Sequence, residues 1–185
     1  MKKRRWMRLR NFELKSLEHA HGSLAALGVE LKAAVHFGVG FCSRGLLKGR
    51  VAVPLHDPDG RLVGYAGMAV GDGAGPRCLF PEGRERKGEA FEFDRSLLLY
   101  NAHRVGRECV VLIVVQDFAS VWHLHQCGLR HAVALMGPEC SKEQAELIAS
   151  AVKPGGRVWI MPDGNADGEE LARSRNRRLQ PHVAE

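Results

Sequence analysis

The chain has no cysteine pair spaced C-x-x-C. Its five cysteines, Cys42, Cys78, Cys109, Cys127 and Cys140, are scattered. That scatter excludes a zinc ribbon and a dithiol redox motif. An odd number of thiols without a secretion pattern is expected to stay reduced and to serve as small, buried or half-buried packing residues. Long apolar runs are missing too. The longest, Cys109 to Val115, falls far short of the roughly 20 residues that cross a bilayer as a helix. The basic start Met1-Lys-Lys-Arg-Arg is followed by Trp6, Met7 and further charge, with no apolar stretch behind it. No signal-peptide pattern exists there, and a cytoplasmic location without membrane contact is expected. Neither internal repeats nor low-complexity tracts occur, and the composition is that of a globular protein.

What the chain does have is unevenly placed positive charge. Its 185 residues allow one medium domain or two small ones, with a formal charge of +6. Cations gather at Lys2, Lys3, Arg4, Arg5, Arg8 and Arg10, at Arg84, Arg86 and Lys87, and at Arg173, Arg175, Arg177 and Arg178. Such patches attract polyanions in a salt-dependent manner, although terminal basic runs are often only solvated tails.

The apolar pattern changes along the chain. Leu14, Leu17, Leu24, Leu27 and Leu31, interrupted by Gly22 and Gly28, read as two short helices. Phe37 to Cys42 reads as a turn or a short edge strand. Two apolar runs, Arg50 to Leu55 and Arg61 to Gly67, flank Asp57-Pro-Asp-Gly, which predicts a β-hairpin. Residues 71–88, rich in Gly, Pro and Arg, read as a surface loop, and Ser96 to Arg104 as a short helix. From Glu108 the texture alternates. Cys109 to Val115 predicts a strand covered on both faces, followed by a helix over Phe118–His125 that Gly128 ends. His131 to Met136 predicts a second strand. Ser141 and Gln144 have capping-box spacing at the head of a helix carrying Ala145, Ile148, Ala149 and Val152, which Pro154-Gly-Gly stops. Arg157 to Met161 predicts a third strand, then Asp163-Gly-Asn-Ala-Asp-Gly and a basic helix. Strand and helix in alternation argue a parallel α/β sheet. The expected organisation is a basic arm over 1–10, a small α+β subdomain over 11–106 with its boundary near Gly106, and an α/β domain over 107–185.

Ligands of an open parallel sheet bind beyond the carboxyl ends of the strands. That rule selects Gln116-Asp117, Gly137-Pro-Glu139 and Asp163 to Asp167. Carboxylates gathered there suit a hard divalent cation and phosphates. Asp163-Gly taken alone reads first as a tight turn with the aspartate as a helix N-cap. His123 and His125, two apart on a helix, point in different directions and read as ordinary helix residues. Trp6, Trp122 and Trp159 read as packing or interface residues, with Trp6 placed in the basic arm where it could stack on a base.

Val114-Val-Gln-Asp-Phe-Ala-Ser-Val, then Leu124-His-Gln-Cys-Gly and Val133-Ala-Leu-Met-Gly, resemble the opening of a TOPRIM domain. Ile160-Met-Pro-Asp-Gly-Asn-Ala-Asp-Gly resembles its later D-G-D-x-A-G motif. Upstream, Lys48 to Gly67, Leu79-Phe-Pro, Arg86-Lys-Gly and Leu99-Tyr-Asn resemble, in order, the basic subdomain of bacterial and phage-type DNA primases. The resemblance spans about Leu27 to Arg178. It implies a TOPRIM-like three-layer α/β domain with a parallel sheet, preceded by the small α+β basic subdomain. No counterpart of the primase zinc-binding module or helicase-interaction domain is found, and the family has a further strand where this sequence reaches Glu185, so the expectation is either a fragment or a sheet edge supplied by a partner.

The resemblance also implies a site. Gln116, Asp163 and Asn165 stand at the family's catalytic positions, but the family's glutamate is Gln116 here and its second aspartate is Asn165. An amide accepts hydrogen bonds without carrying charge or taking a proton near neutral pH, so affinity for Mg²⁺ or Mn²⁺ is expected to fall and catalysis with it. Asp117 stands where glycine is usual and Asp167 where a small residue is usual. With Asp163 they are the candidate metal ligands, set against simple drift at a site without catalytic demand. Arg50, Arg77 and Lys87 match the cations that track single-stranded template, whereas Met68 stands where an arginine is frequent. The alternative for Arg50 is an ion pair with Asp57 or Asp59, and for Lys87 an exposed loop charge. The implied function is a primase-like protein binding single-stranded DNA in replication, of a chromosome or a mobile element, with nucleoside triphosphates and a helicase or other replication protein as partners. If active, it is a nucleotidyltransferase making RNA primers. A second reading is a non-catalytic nucleic-acid-binding or scaffolding protein that kept the fold. A third, nucleolytic TOPRIM chemistry, is disfavoured by the basic subdomain.

Overall fold

The computed structural model describes residues 13–71, 76–81, 84–86, 89–91 and 93–162. The basic arm, Lys87 and the segment from Asp163 onward lie outside the described residues. The chain divides into two compact units. One runs to Asp57 and continues over Arg61–Phe93; the other holds Pro58–Gly60 and the chain from Asp94.

In the first unit the strands are β1 (Leu17–Glu18), β2 (Gly40–Cys42), β3 (Arg50–His56), β4 (Leu62–Ala69) and β5 (Cys78–Leu79), with helices α1 (Gly22–Ala26) and α2 (Leu31–Phe37) between β1 and β2. These five strands form one sheet in sequence order, and each neighbouring pair is antiparallel. The expected hairpin is β3–β4, in register from Arg50↔Ala69 to Leu55↔Gly64. Asp57 closes it: its N–H donates to the Arg61 carbonyl at 2.9 Å, and its Oδ1 accepts the Arg61 N–H at 2.8 Å. Pro54 is tolerated in an interior strand because β2 pairs only with Arg50–Ala52, so no β2 ladder bond needs its missing N–H. Val51, Val53 and Leu55 are buried with Leu24, Ala34, Phe37 and Val39, which forms the core of this unit.

Three expectations are corrected here. Leu14 and Leu17 do not belong to a helix; Leu17 starts β1, which pairs with β2, and so β2 is an interior strand rather than an edge. Within 71–88 the chain forms β5 and then β6 (Arg84–Arg86), which pairs with β7 (Glu89–Phe91). Loop-like composition hid them because such short strands are specified by their partners more than by their own residues.

The second unit opens with a 3-10 turn at Arg95–Leu97 and helix α3 (Ala102–Val105), where a single helix over 96–104 was expected. The break lies at Tyr100, whose backbone pairs with Ala134, and at Asn101, which is left-handed at φ 68°. Then follow β8 (Cys109–Val115), α4 (Phe118–Gln126), β9 (Ala132–Ala134), α5 (Lys142–Ala151) and β10 (Val152–Ile160). The sheet order is β10–β8–β9 and both pairings are parallel. Leu112, Val114, Val133 and Leu135 pack with Ala145 and Ile148 of α5, and Leu99 and Val105 join the same cluster. That packing explains why Asp94–Val105 groups with this unit, ahead of the composition change at Gly106.

Ser141 and Gln144 form the expected reciprocal capping box. The other end of α5 differs from expectation. Val152 has already left the helix and pairs with Cys109, and the register then shifts before Arg157↔Val111. Lys153-Pro-Gly-Gly therefore forms a bulge inside β10. Gly155 takes φ 75°, and a Cβ on Gly156 would sit 2.5 Å from Val152 Cγ1 and 2.9 Å from the Cys109 carbonyl, so only glycine fits. No helix among the described residues is long and apolar enough to cross a membrane. None of the cysteines forms a disulfide; Cys42, Cys109 and Cys140 are buried and Cys78 half-buried, while Cys127 is exposed, against expectation.

Candidate functional site

Because β8, β9 and β10 are parallel, their carboxyl ends share one rim. Backbone bonds carry the ladder to it: Leu135 N–H donates to the Val115 carbonyl at 3.0 Å, and Met161 N–H to the Val114 carbonyl at 2.9 Å. Gln116 is the first residue past β8 and is half-buried, while Glu139, in the loop after β9, is exposed. Asp163 is two residues past Met161 in sequence; it, Asn165 and Asp167 lie outside the described residues.

Asp117 has a definite local role. It is the N-cap of α4: Oδ1 accepts the Ser120 N–H at 3.0 Å and Oδ2 accepts the Ser120 hydroxyl at 2.7 Å. An N-cap aspartate satisfies a helix donor that would otherwise be orphaned. The strand–Gln–Asp–helix arrangement thus turns the residue after Gln116 into a helix-starting group. Tested against a hard divalent cation, the described part of the rim fits poorly. Its oxygen donors are an amide, an exposed glutamate and a carboxylate already bonded through both oxygens. Among the described residues no three His, Cys, Asp or Glu side chains come together as metal ligands. His123 is exposed and His125 half-buried on α4, as ordinary helix residues.

One cation at this rim escaped sequence reasoning. Arg95 Nη1 donates to the Met136 carbonyl at 3.2 Å, and its guanidinium carbon would stand 3.3 Å from a Cβ placed on Gly137. Met136 is left-handed at φ 61°, so a guanidinium holds the turn that follows β9. The available signal was only a charge before Ser96; nothing in its spacing pointed to a contact with a residue 41 positions on.

The interior behind the rim is firmly tied. Gln144, 1% exposed, donates from Nε2 to the Leu98 and Leu135 carbonyls at 2.8 and 2.9 Å. Trp122 Nε1 donates to the Tyr100 hydroxyl at 2.8 Å, in a cluster that Phe118 completes edge-to-face. Burial drives the Tyr100 phenol well above its ordinary 10.0, only partly offset by the Trp122 hydrogen bond and by Arg104. Trp122 is a packing residue, as expected, whereas Trp159 on β10 is 51% exposed.

In the first unit, Arg50 Nη1 donates to the Pro76 carbonyl at 3.0 Å and to the Gly67 carbonyl at 3.3 Å. Pairing with Asp57 or Asp59 is excluded by position. Arg50 begins β3 and Asp57 follows its end, a separation of about 23 Å along an extended strand. The structure instead brings Arg50 beside the Pro76–Arg77 segment, where Arg77 is exposed. Met68 lies in β4 and is buried, so this position offers packing and no charge.

No protein-family model matches the chain. Among curated proteins it is similar to the DNA primase of Aquifex aeolicus, 29% identical over 133 residues, which is 71% of this chain and 25% of that protein. Among solved structures it is similar to a DnaG primase catalytic domain bound to single-stranded DNA. The TM-score is 0.72 at 21% identity, covering 89% of this chain and 60% of that one. The primase catalytic core of E. coli gives a TM-score of 0.70 at 21% identity, covering 89% of this chain and 61% of that one. The fold is that of the primase catalytic core, and the chain spans about a quarter of the length of the Aquifex relative.

Proposed function

We propose that the chain is a primase-type module of DNA replication that binds single-stranded DNA and in which primer synthesis is lost or strongly weakened. One observation carries the reading. At the end of the central strand, where primase chemistry needs a charged metal organiser, stand a neutral amide, Gln116, and an aspartate committed to starting α4. Phosphoryl transfer relies on charge neutralisation at that point. Asn165 removes another charge by sequence, leaving Asp163 with Asp167 as the carboxylates that would hold Mg²⁺ or Mn²⁺. Arg50, Arg77 and Lys87, and Arg95 at the rim, supply positive charge for the phosphate backbone. Nucleoside triphosphates and a helicase or other replication protein are the corresponding partners, in the cytoplasm.

The test is a primer-synthesis assay on single-stranded DNA with Mg²⁺ or Mn²⁺, run beside a binding measurement on the same DNA. Salt-sensitive binding without product is the expected result. Product that Asp163→Ala abolishes would overturn the loss of chemistry and establish a nucleotidyltransferase.

A further inference from the structure

Building on the nucleic-acid-binding reading above, we propose that the loop joining β2 to β3, Ser43 to Gly49, is a DNA-contact element. Its apolar tip, Leu46, seats against an unpaired base, and Arg44 and Lys48 hold the flanking phosphates.

Residues 31–56 contain four cations, Lys32, Arg44, Lys48 and Arg50, and no aspartate or glutamate. A polyanion approaching this stretch meets no local repulsion from its own segment. Within it, two adjacent leucines have opposite fates. Leu47 is half-buried and turned onto β4, where a Cβ on Gly67 would come 2.7 Å from its Cδ2. Leu46 is 84% exposed.

A single exposed leucine is ordinary on a protein surface. This one is held out by a braced loop. Gly49 N–H donates to the Cys42 carbonyl at 2.8 Å, Lys48 N–H to the Gly45 carbonyl at 3.1 Å and Arg50 N–H to the Leu47 carbonyl at 3.1 Å. The Cys42 thiol donates to the Arg44 carbonyl at 2.9 Å. Gly45 and Gly49 take φ values of 80° and 79°, which other residues rarely adopt. Arg44 donates to the Ser16 hydroxyl at 3.2 Å, a bond that leaves most of its guanidinium donors to the solvent side, and Lys48 is exposed.

A rigid turn with an apolar apex between two cations matches the repeating chemistry of single-stranded DNA, in which unpaired base faces alternate with phosphates. Contact with a base face is tolerant of sequence, and aliphatic wedges are a known means of separating stacked bases. Because the loop is pre-formed, little ordering is lost when DNA binds.

The experiment uses the full chain and an oligo-dA carrying one 2-aminopurine, whose fluorescence rises when it unstacks. Wild type should bind and raise the signal. Leu46→Ser should weaken binding about five-fold, the scale of a few buried methyl groups, and abolish the rise without changing the salt dependence. Arg44→Ser and Lys48→Ser should each lower the log–log salt slope by about 0.7. Leu129→Ser, at an exposed leucine of the other unit, is the control and should match wild type. If wild type binds and Leu46→Ser is indistinguishable from it in affinity and fluorescence, the loop proposal is overturned while DNA binding stands. If wild type does not bind at low salt, the nucleic-acid reading itself fails.

Discussion

Tyr100 shows how much one side chain can hold in place. Its backbone pairs with Ala134 at the edge of β9, and its hydroxyl is the acceptor for the buried indole N–H of Trp122. Tyr100→Phe keeps the ring and strands that donor, so urea unfolding at pH 7 should show a loss of about 1–3 kcal/mol. The hydroxyl also makes stability depend on alkaline pH. Burial raises its folded-state pKa above the ordinary 10.0. Below that value the phenol is neutral folded or unfolded, and its contribution is fully present. As pH climbs past about 10 the unfolded chain releases the proton that the folded chain retains, and stability declines. The decline between about pH 9 and 10.5 should be shallower in Tyr100→Phe; equal slopes in the two proteins would assign it to other groups. Neither the hydrogen bond nor the burial was legible beforehand, since Leu99-Tyr-Asn is only a motif fragment until β9 and α4 close around it.

At the scale of elements, the parallel strands and the capping box of α5 were readable because their signals are local: a continuous apolar run, and Ser141 three residues before Gln144. The start of α4 at Phe118 was readable too, but the cap that sets it was not. Asp117 drew attention as a candidate metal ligand, yet it serves as a cap whose two oxygens meet Ser120. Asp117→Ala should cost about 0.5–2 kcal/mol in thermal or denaturant unfolding, and Asp117→Asn, which preserves an accepting oxygen, much less. Equal losses in the two variants would mean that the negative charge, rather than the cap, matters. The bulge in β10 was hidden for a related reason. Pro154-Gly-Gly signals the end of a helix, but whether the next residues become a loop or a bulged strand depends on whether β8 offers a partner.

For the whole molecule, the net charge of +6 and its uneven placement set the expected behaviour toward DNA. Affinity for single-stranded DNA should fall linearly in log–log form with salt, with a slope of about −0.7 per phosphate neutralised. Replacing Arg50 and Arg77 together should reduce that slope, as followed by fluorescence anisotropy. An unchanged slope would place the DNA path elsewhere on the chain.

The alternation of apolar runs and amphipathic stretches was enough to set a parallel α/β unit behind a hairpin-containing subdomain. The residue types at the strand ends, Gln116 and Asn165 among them, were enough to raise the expectation of a rim poor in negative charge. Both are statements about local pattern and side-chain identity, which the amino-acid order carries directly. Folding in three dimensions decided the rest: that Arg50 reaches Pro76 rather than Asp57, that Arg95 clasps the turn at Met136, and that Leu46 is thrust outward while Leu47 is tucked in. Those outcomes depend on which distant backbone arrives beside a side chain, and such encounters leave no mark in the spacing of residues along the chain.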